Sequence, residues 1–346
     1  MTHRLKETAI KTLSVDASPD LITMTTSEAF RRLPSVITDI EGGLTYRGSA
    51  QAAVLLNGIP HGWMEEYNGD ALIQLPANFF NRLSVSAYPA IGLVPDGDAG
   101  ILNLSSYPFS PSNPALLFNA GIGMQERYNA GVIIHQHPGK FHITGKYNYR
   151  REYRKRTFKK TTTTSTGTTE MDNSAAARPD IHLADLKIGY DLTPKDLITV
   201  YGLYSLMDYD RYGKIKNRRT NPAGEVLNHV FRNRYNSQQQ EAYATEARWL
   251  HTFNQPADQL EVIFNYNNFG YTEDNFYRNE HPETGNILAE DRLDIRHTKH
   301  NYYFSGLFNK QLSNQWYLKT GYTGRIKDEH YTADAQDKKR GRVDDE

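Results

Sequence analysis

Downstream of about Leu116 the chain alternates between apolar and polar positions over long stretches. Phe141, Ile143, Gly145, Tyr147 and Tyr149 share one parity, and His142, Thr144, Lys146, Asn148 and Arg150 the other. Ala184, Leu186, Ile188, Tyr190 and Leu192 oppose Asp185, Lys187 and Asp191 in the same way, and Trp316, Leu318, Thr320 and Tyr322 oppose Tyr317, Lys319 and Arg325. A period of two predicts strands with an apolar-aromatic face backed by a charged one. Upstream, between residues 20 and about 108, the pattern is different. Thr26 to Leu33 reads as a short amphipathic helix behind Ser/Thr caps, stopped by Pro34, because the residue before a proline avoids the helical region. Ala52 to Leu56, Arg82 to Val85 and Ile101 to Leu104 have the length of buried strands between Gly- and Pro-rich turns, and a second short helix is predicted near Pro76 to Asn81.

The links between the long strands alternate as well. His137 to Lys140, Thr193 to Asp196, Asn254 to Gln259 and Leu312 to Gln315 are short, whereas Arg151 to Pro179, Asp208 to Asn236 and Thr272 to Arg296 are long and polar. Long loops on one side and tight turns on the other are the habit of outer-membrane barrels, and a soluble sandwich has no reason for strict alternation. About nine strands fit this pattern before the polar tail from Asp334 to Glu346. Nine strands do not close by the usual even-numbered route, and an open edge in hydrocarbon leaves backbone groups unpaired. The expectation is a partial transmembrane β-barrel, mainly antiparallel, in a chain that is a fragment.

Composition agrees with a wall in which only alternate residues meet lipid. Mean hydropathy is −0.68, yet 23 Tyr and 14 Phe stand beside only 3 Trp, the supply an aromatic girdle needs. No run reaches the roughly 18 apolar residues of a spanning helix. Residues 1 to 20 lack the apolar core of a signal peptide, so that segment is expected to have been removed or to precede this chain. The 40 basic and 40 acidic residues cancel, which argues against a general nucleic-acid binder. The absence of Cys excludes disulfides and thiolate metal sites.

The upstream region carries a resemblance. Phe30 to Val36, Tyr46-Arg47-Gly48, Leu56-Asn57-Gly58-Ile59-Pro60, Pro76 to Val85 and Gly100-Ile101-Leu102-Asn103-Leu104 follow one another in the order of the motifs of a plug domain. Over about 85 residues the series resembles the plug of TonB-dependent outer-membrane receptors. Three positions depart from that pattern: Ser35 stands where Gly is usual, Asn57 replaces Asp, and Asn81 to Ser84 replaces a Glu-Arg-Ile-Glu step. The resemblance implies an α+β plug domain at 20–112, a leader at 1–19, and the N-terminal part of a barrel at 113–346. Arg47, Gly48, Asn57, Gly58, Pro60, Gly100 and Asn103 are its plug-motif residues; Gly48 and Gly58 read as sharp turns needing φ > 0, and Pro60 as fixing a strand exit.

It also implies function: active import, across the bacterial outer membrane, of a scarce small-molecule or metal-chelate ligand such as a ferric siderophore, driven by the TonB complex. TonB grips such receptors by strand addition, for which Glu7-Thr8-Ala9-Ile10 or Thr12 to Val15 is the candidate segment. Ligand contact is expected from a polar apex loop with His61, Trp63 and Tyr67. The seven basic residues between Arg150 and Lys160 are expected to meet lipopolysaccharide phosphates rather than nucleic acid. His135, His137 and His142 lack a fixed carboxylate, and Asp96 to Gly100 lacks the later ligands of a calcium loop, so no metal or cofactor is expected. No catalytic triad, P-loop or dinucleotide motif occurs, so no enzyme is expected. Two alternatives stay open: a non-transporting surface receptor or sensor of the same form, and a soluble β-rich binding protein.

Overall fold

The computed structural model describes residues 10–15, 18–39, 42–50, 52–87, 100–107, 114–313 and 315–339. Strand β1 (Ile10–Ser14) is followed by helix α1 (Thr26–Phe30), which begins at a capping box. Thr25 Oγ1 accepts from the Glu28 amide at 3.1 Å, and the Glu28 carboxylate accepts from the Thr25 amide at 2.8 Å. Two donors that the helix leaves without partners are thereby satisfied. After the short hairpin β2 (Val36–Thr38) and β3 (Leu44–Tyr46) come β4 (Ala53–Leu56), β5 (Ile59–Pro60), α2 (Gly62–Glu66), α3 (Asn68–Gln74), β6 (Phe80–Ser86) and β7 (Ile101–Ser106). These strands, β2 and β3 apart, form one mixed sheet in the order β1-β6-β7-β4-β5, with β4 and β7 parallel. The helix anticipated near Pro76 is a single 3-10 turn at Ala77–Phe79, because the apolar run from Phe80 onward pairs with β7 instead.

The rest is an antiparallel wall: β8 (Ala115–Gly123), β9 (Arg127–Gln136), β10 (Phe141–Arg151), β11 (Arg154–Thr164), β12 (Gly167–Ala177), β13 (Asp180–Thr193), β14 (Asp196–Thr220), β15 (Val226–Thr252), β16 (Gln259–Glu280), β17 (Ile287–Gln311) and β18 (Tyr317–Lys339). Nine of them form a continuous path, with the β11–β12 hairpin set beside β14. Among the described residues the wall is not closed, since β8 and β18 each have one neighbour.

The three long links differ from expectation. None is a loop: Asp208 to Asn236 and Thr272 to Arg296 continue the strands, β14 and β15 staying in register from Asp196↔His251 out to Arg219↔Asn228, and Arg151 to Pro179 folds as the separate β11–β12 hairpin. Their polarity is no obstacle, because the ladder is made by backbone groups and both faces of an extension are wet. In the two continued links only the tips turn, at Asn221-Pro222-Ala223-Gly224 and at His281 to Asn286, with Gly224 at φ 88° and Gly285 at φ 70°.

The two faces of the wall separate as the alternation requires. Leu186, Val200, Phe264 and Phe304 lie exposed on the outer face. Tyr204, Tyr243, Tyr266 and Tyr302 form a row across four neighbouring strands, Tyr243 and Tyr266 with ring centroids 5.9 Å apart and Tyr266 and Tyr302 4.9 Å apart. Trp249, Phe253 and Phe308 lie nearer the short turns, Phe253 and Phe308 with centroids 6.0 Å apart. On the inner face, Leu183, Tyr201, Leu203, Phe269 and Tyr271 join Phe30, Leu72, Phe79 and Leu83 of the small sheet and its helices in one buried core. The small domain is thus packed against the wall's inner face by apolar burial, the main favourable term in such docking.

Candidate functional site

The site is built from the turns of the small sheet upward. Arg47 and Gly48 (φ 53° and 82°) and Asn57 and Gly58 (φ 53° and 80°) are consecutive left-handed pairs. That is the geometry of a two-residue turn whose twist suits a hairpin, and Asn-Gly is its favoured sequence. Asn57 Oδ1 accepts from the Ser106 amide at 2.8 Å, its Nδ2 donates to Ser106 Oγ at 3.1 Å, and Asn103 Oδ1 accepts from the Gly58 amide at 2.8 Å. The β4–β5 turn is therefore clasped to β7 by two asparagines. Gly100, at φ 126°, has no room for a side chain, since a Cβ there would lie 2.5 Å from the Ser86 carbonyl oxygen. Pro60 leaves the turn with its carbonyl 3.4 Å from Asn267 Nδ2 on the wall. These turns and asparagine contacts shape the β4–β5–β7 part of the small domain, and Pro60 also touches its seat.

That seat is polar where it is not apolar. Lys146 Nζ donates to the Phe79 carbonyl at 2.7 Å while paired with Asp185 at 2.9 Å, both side chains being buried. Gln74 Nε2 donates to Gln240 Oε1 at 3.1 Å and its Oε1 accepts from Ser205 Oγ at 3.2 Å. The Gly62 amide donates to Asn267 Oδ1 at 3.1 Å. Glu65 is gripped by Arg325 and by Lys327, the latter at 3.2 Å. The neutral contacts among these exchange readily for water, since the net worth of each is about 1 kcal/mol, whereas parting the buried Lys146–Asp185 pair costs more because it strands a charge.

Above this seat, toward the strand tips, a chamber of about 790 Å³ lies between α3 and the wall, lined among others by Tyr67, Asp70, Arg154, Tyr209, Arg211 and Tyr271. Asp70 accepts from Arg154 Nη1 at 3.1 Å and from Gln240 Nε2 at 3.0 Å, tying the helix to the base of the β11–β12 hairpin and to β15. Tyr67 stacks on Tyr271 with centroids 4.9 Å apart and lies 3.2 Å from His297 Nδ1 through its hydroxyl. A second chamber of about 810 Å³ adjoins it, between α1 and the tip ends of β8 to β11, and both are lined by Asp39 and by Arg154, Arg156 and Thr157.

The apex residues read from the sequence divide. Tyr67 lines the first chamber, but His61 and Trp63 do not, being 4% and 3% exposed. The segment expected to be a polar loop is a helix, and its first turn packs against the wall rather than pointing into the lumen. Burial, with Arg325 adding to it, pushes the His61 pKa down to about 3, so the ring is neutral. Sequence reading missed Asp70, Arg154, Arg211, Arg234, Tyr209 and Glu273 as chamber residues. The run from Arg150 to Lys160 was a signal for one of them: as a strand it sends Arg154, and with it Arg156, to the chambers and leaves Lys159 80% exposed beside Asp172. Of the candidate TonB-binding segment, Glu7, Thr8 and Ala9 lie outside the described residues. Ile10 opens β1, opposite Ser86, and Thr12 to Ser14 continue the same strand along β6. Asp96 to Ala99 also lie outside the described residues, while His142 pairs with Asp191 at 2.9 Å and stacks on His137.

A small mixed sheet seated inside an antiparallel wall, with polar contacts at the seat and chambers above, is the plug-and-barrel fold of TonB-dependent outer-membrane receptors. The chain is similar in this fold to the ferric citrate transporter FecA in its unliganded form, with a TM-score of 0.50 and 11% identity, covering 95% of this chain and 58% of that one. FpvA of P. aeruginosa, solved with pyoverdines, aligns over 96% of this chain and 53% of its own at 12% identity and a TM-score of 0.47. This chain therefore spans little more than half the length of either. No protein-family description and no curated protein matches the sequence.

Proposed function

We propose that this chain supplies the plug (20–112) and part of the wall (113–346) of an outer-membrane transporter that imports a scarce ligand, such as a ferric chelate, in a TonB-dependent way. The observation that carries this reading is the position of the first chamber. It opens toward the strand tips directly above a plug whose helix α3 lines it through Asp70 while holding the wall through Gln74. A ligand arriving from the tip side contacts the plug before anything else can pass, and the plug blocks free diffusion until its polar contacts are exchanged for water. The rows of tyrosine and of Trp249 and Phe253 on the outer face support a seat in the outer membrane, with the tips outward beside lipopolysaccharide. β1 is the last strand of the plug sheet, and its far edge has no strand beside it among the described residues. An open edge suits capture by strand addition, the mode expected for TonB. Deleting residues 1–15 from the full-length gene product is expected to abolish energy-dependent uptake while surface binding of the ligand persists. Uptake that continues at the undeleted rate contradicts the proposal.

A further inference from the structure

The chain as a whole has no net charge, but the chambers do not share that balance. Four arginines face three carboxylates in the first, and seven basic side chains face three carboxylates in the second. Several of these are neutralised in place. Arg154 is paired with Glu152 and Asp70, and Arg234 with Glu273.

Two are not. Arg211 in the first chamber donates from Nη2 to the Tyr209 hydroxyl at 2.6 Å and lies over that ring, with no carboxylate partner among the described residues. Arg127 in the second donates from Nη2 to the Tyr153 carbonyl at 3.0 Å, again with no carboxylate partner among the described residues. Each is oriented by one bond to a neutral oxygen, which leaves the remaining N–H groups of a planar, permanently charged fork for another acceptor. The fork matches the paired oxygens of a carboxylate or phosphate. A low-dielectric wall around an excess of one sign focuses the field into the chamber and raises the local concentration of the opposite charge.

We propose that the ligand of these chambers is a small, hydrophilic polyanion bearing carboxylate or phosphate groups, held by Arg211 and Arg127. The inference rests on the reading of the first chamber as the ligand site and adds its chemical class. A chamber of about 790 Å³ fits a ligand of a few hundred daltons. Outward lysines such as Lys159 are a separate feature, since they stand in solvent beside their own carboxylates.

The test is calorimetric titration of the purified full-length protein with citrate as the carboxylate probe, pyrophosphate as the phosphate probe and raffinose as the neutral control. At least one anion is expected to bind and raffinose is not. Arg211→Gln and Arg127→Gln are each expected to weaken the anion about tenfold, the scale of one charge-assisted contact, and added salt to weaken it further. Lys159→Gln, which removes the same charge outside the chambers, is expected to leave the affinity unchanged. Which probe binds separates the carboxylate source from the phosphate source. Binding of neither anion, equal binding of raffinose, or an equal loss with Lys159→Gln overturns the proposal. Anion binding without any uptake leaves the ligand class standing and removes the transport reading. Uptake of a neutral ligand that is indifferent to Arg211→Gln does the reverse.

Discussion

Ser35 holds a left-handed backbone conformation, φ 65°, where the plug pattern has glycine. Its carbonyl accepts from the Arg47 amide at 2.9 Å, which ties the end of the α1 segment to the following turn and fixes that conformation. An L-residue held there is strained by about 1 kcal/mol or more, partly offset because glycine has more freedom to lose on folding. Ser35→Gly is therefore expected to stabilise the plug by up to about 1 kcal/mol, read as a rise in the denaturant midpoint. A fall would mean that the serine hydroxyl contributes more than the strain removes. A second departure, Asn57, makes sense in the same terms. Its side chain both accepts from the Ser106 amide and donates to the Ser106 hydroxyl, whereas a carboxylate only accepts.

Among the elements, α2 is the most informative, because the residue that opens it, His61, is a buried titratable ring. His61 has its pKa near 3 in the folded plug and near 6.5 when unfolded. Between those values the unfolded chain binds a proton that the folded one does not, so stability falls as pH falls through this window. Above about pH 6.5 the group adds no pH dependence. The expected slope is on the order of 1.4 kcal/mol per pH unit within the window, and His61→Gln is expected to flatten it. Thermal unfolding of both proteins at pH 4.5 and pH 7.5 measures the difference; identical pH slopes would contradict the burial of His61.

The same helix shows where sequence reading stopped. Strand alternation was legible because lipid-facing and lumen-facing positions impose it residue by residue, and Asp185, Lys187 and Arg325 all face inward as the parity required. The turns at Gly48 and Gly58 were legible because only a few residues tolerate their backbone. The burial of His61 and Trp63 was not, since it depends on a wall whose nearby residues, Asn267 and Arg325, come about 205 and 260 residues later in the chain. Nor were the extensions of β14 to β17, because polar strands and polar loops have the same composition. Only the isolated tips, Asn221-Pro222-Ala223-Gly224 and His281-Pro282, carried turn chemistry.

At the scale of the molecule, an apolar-aromatic outer face, a small domain seated on the inner face, and the chambers proposed to bind an anion near the strand tips belong to one wall. The central claim is that the outer face of the wall meets hydrocarbon while the tips stand outside the cell. Because the chain has no cysteine, single cysteines report position without background. Val200 lies on the outer face within the apolar band, 55% exposed, and Ala223 sits in the β14–β15 tip. In intact cells producing the full-length protein, a water-soluble, impermeant maleimide is expected to label Ala223→Cys rapidly. Val200→Cys is expected to stay unlabelled until detergent dissolves the membrane. Labelling of Val200→Cys at the rate of Ala223→Cys in intact cells would contradict the account.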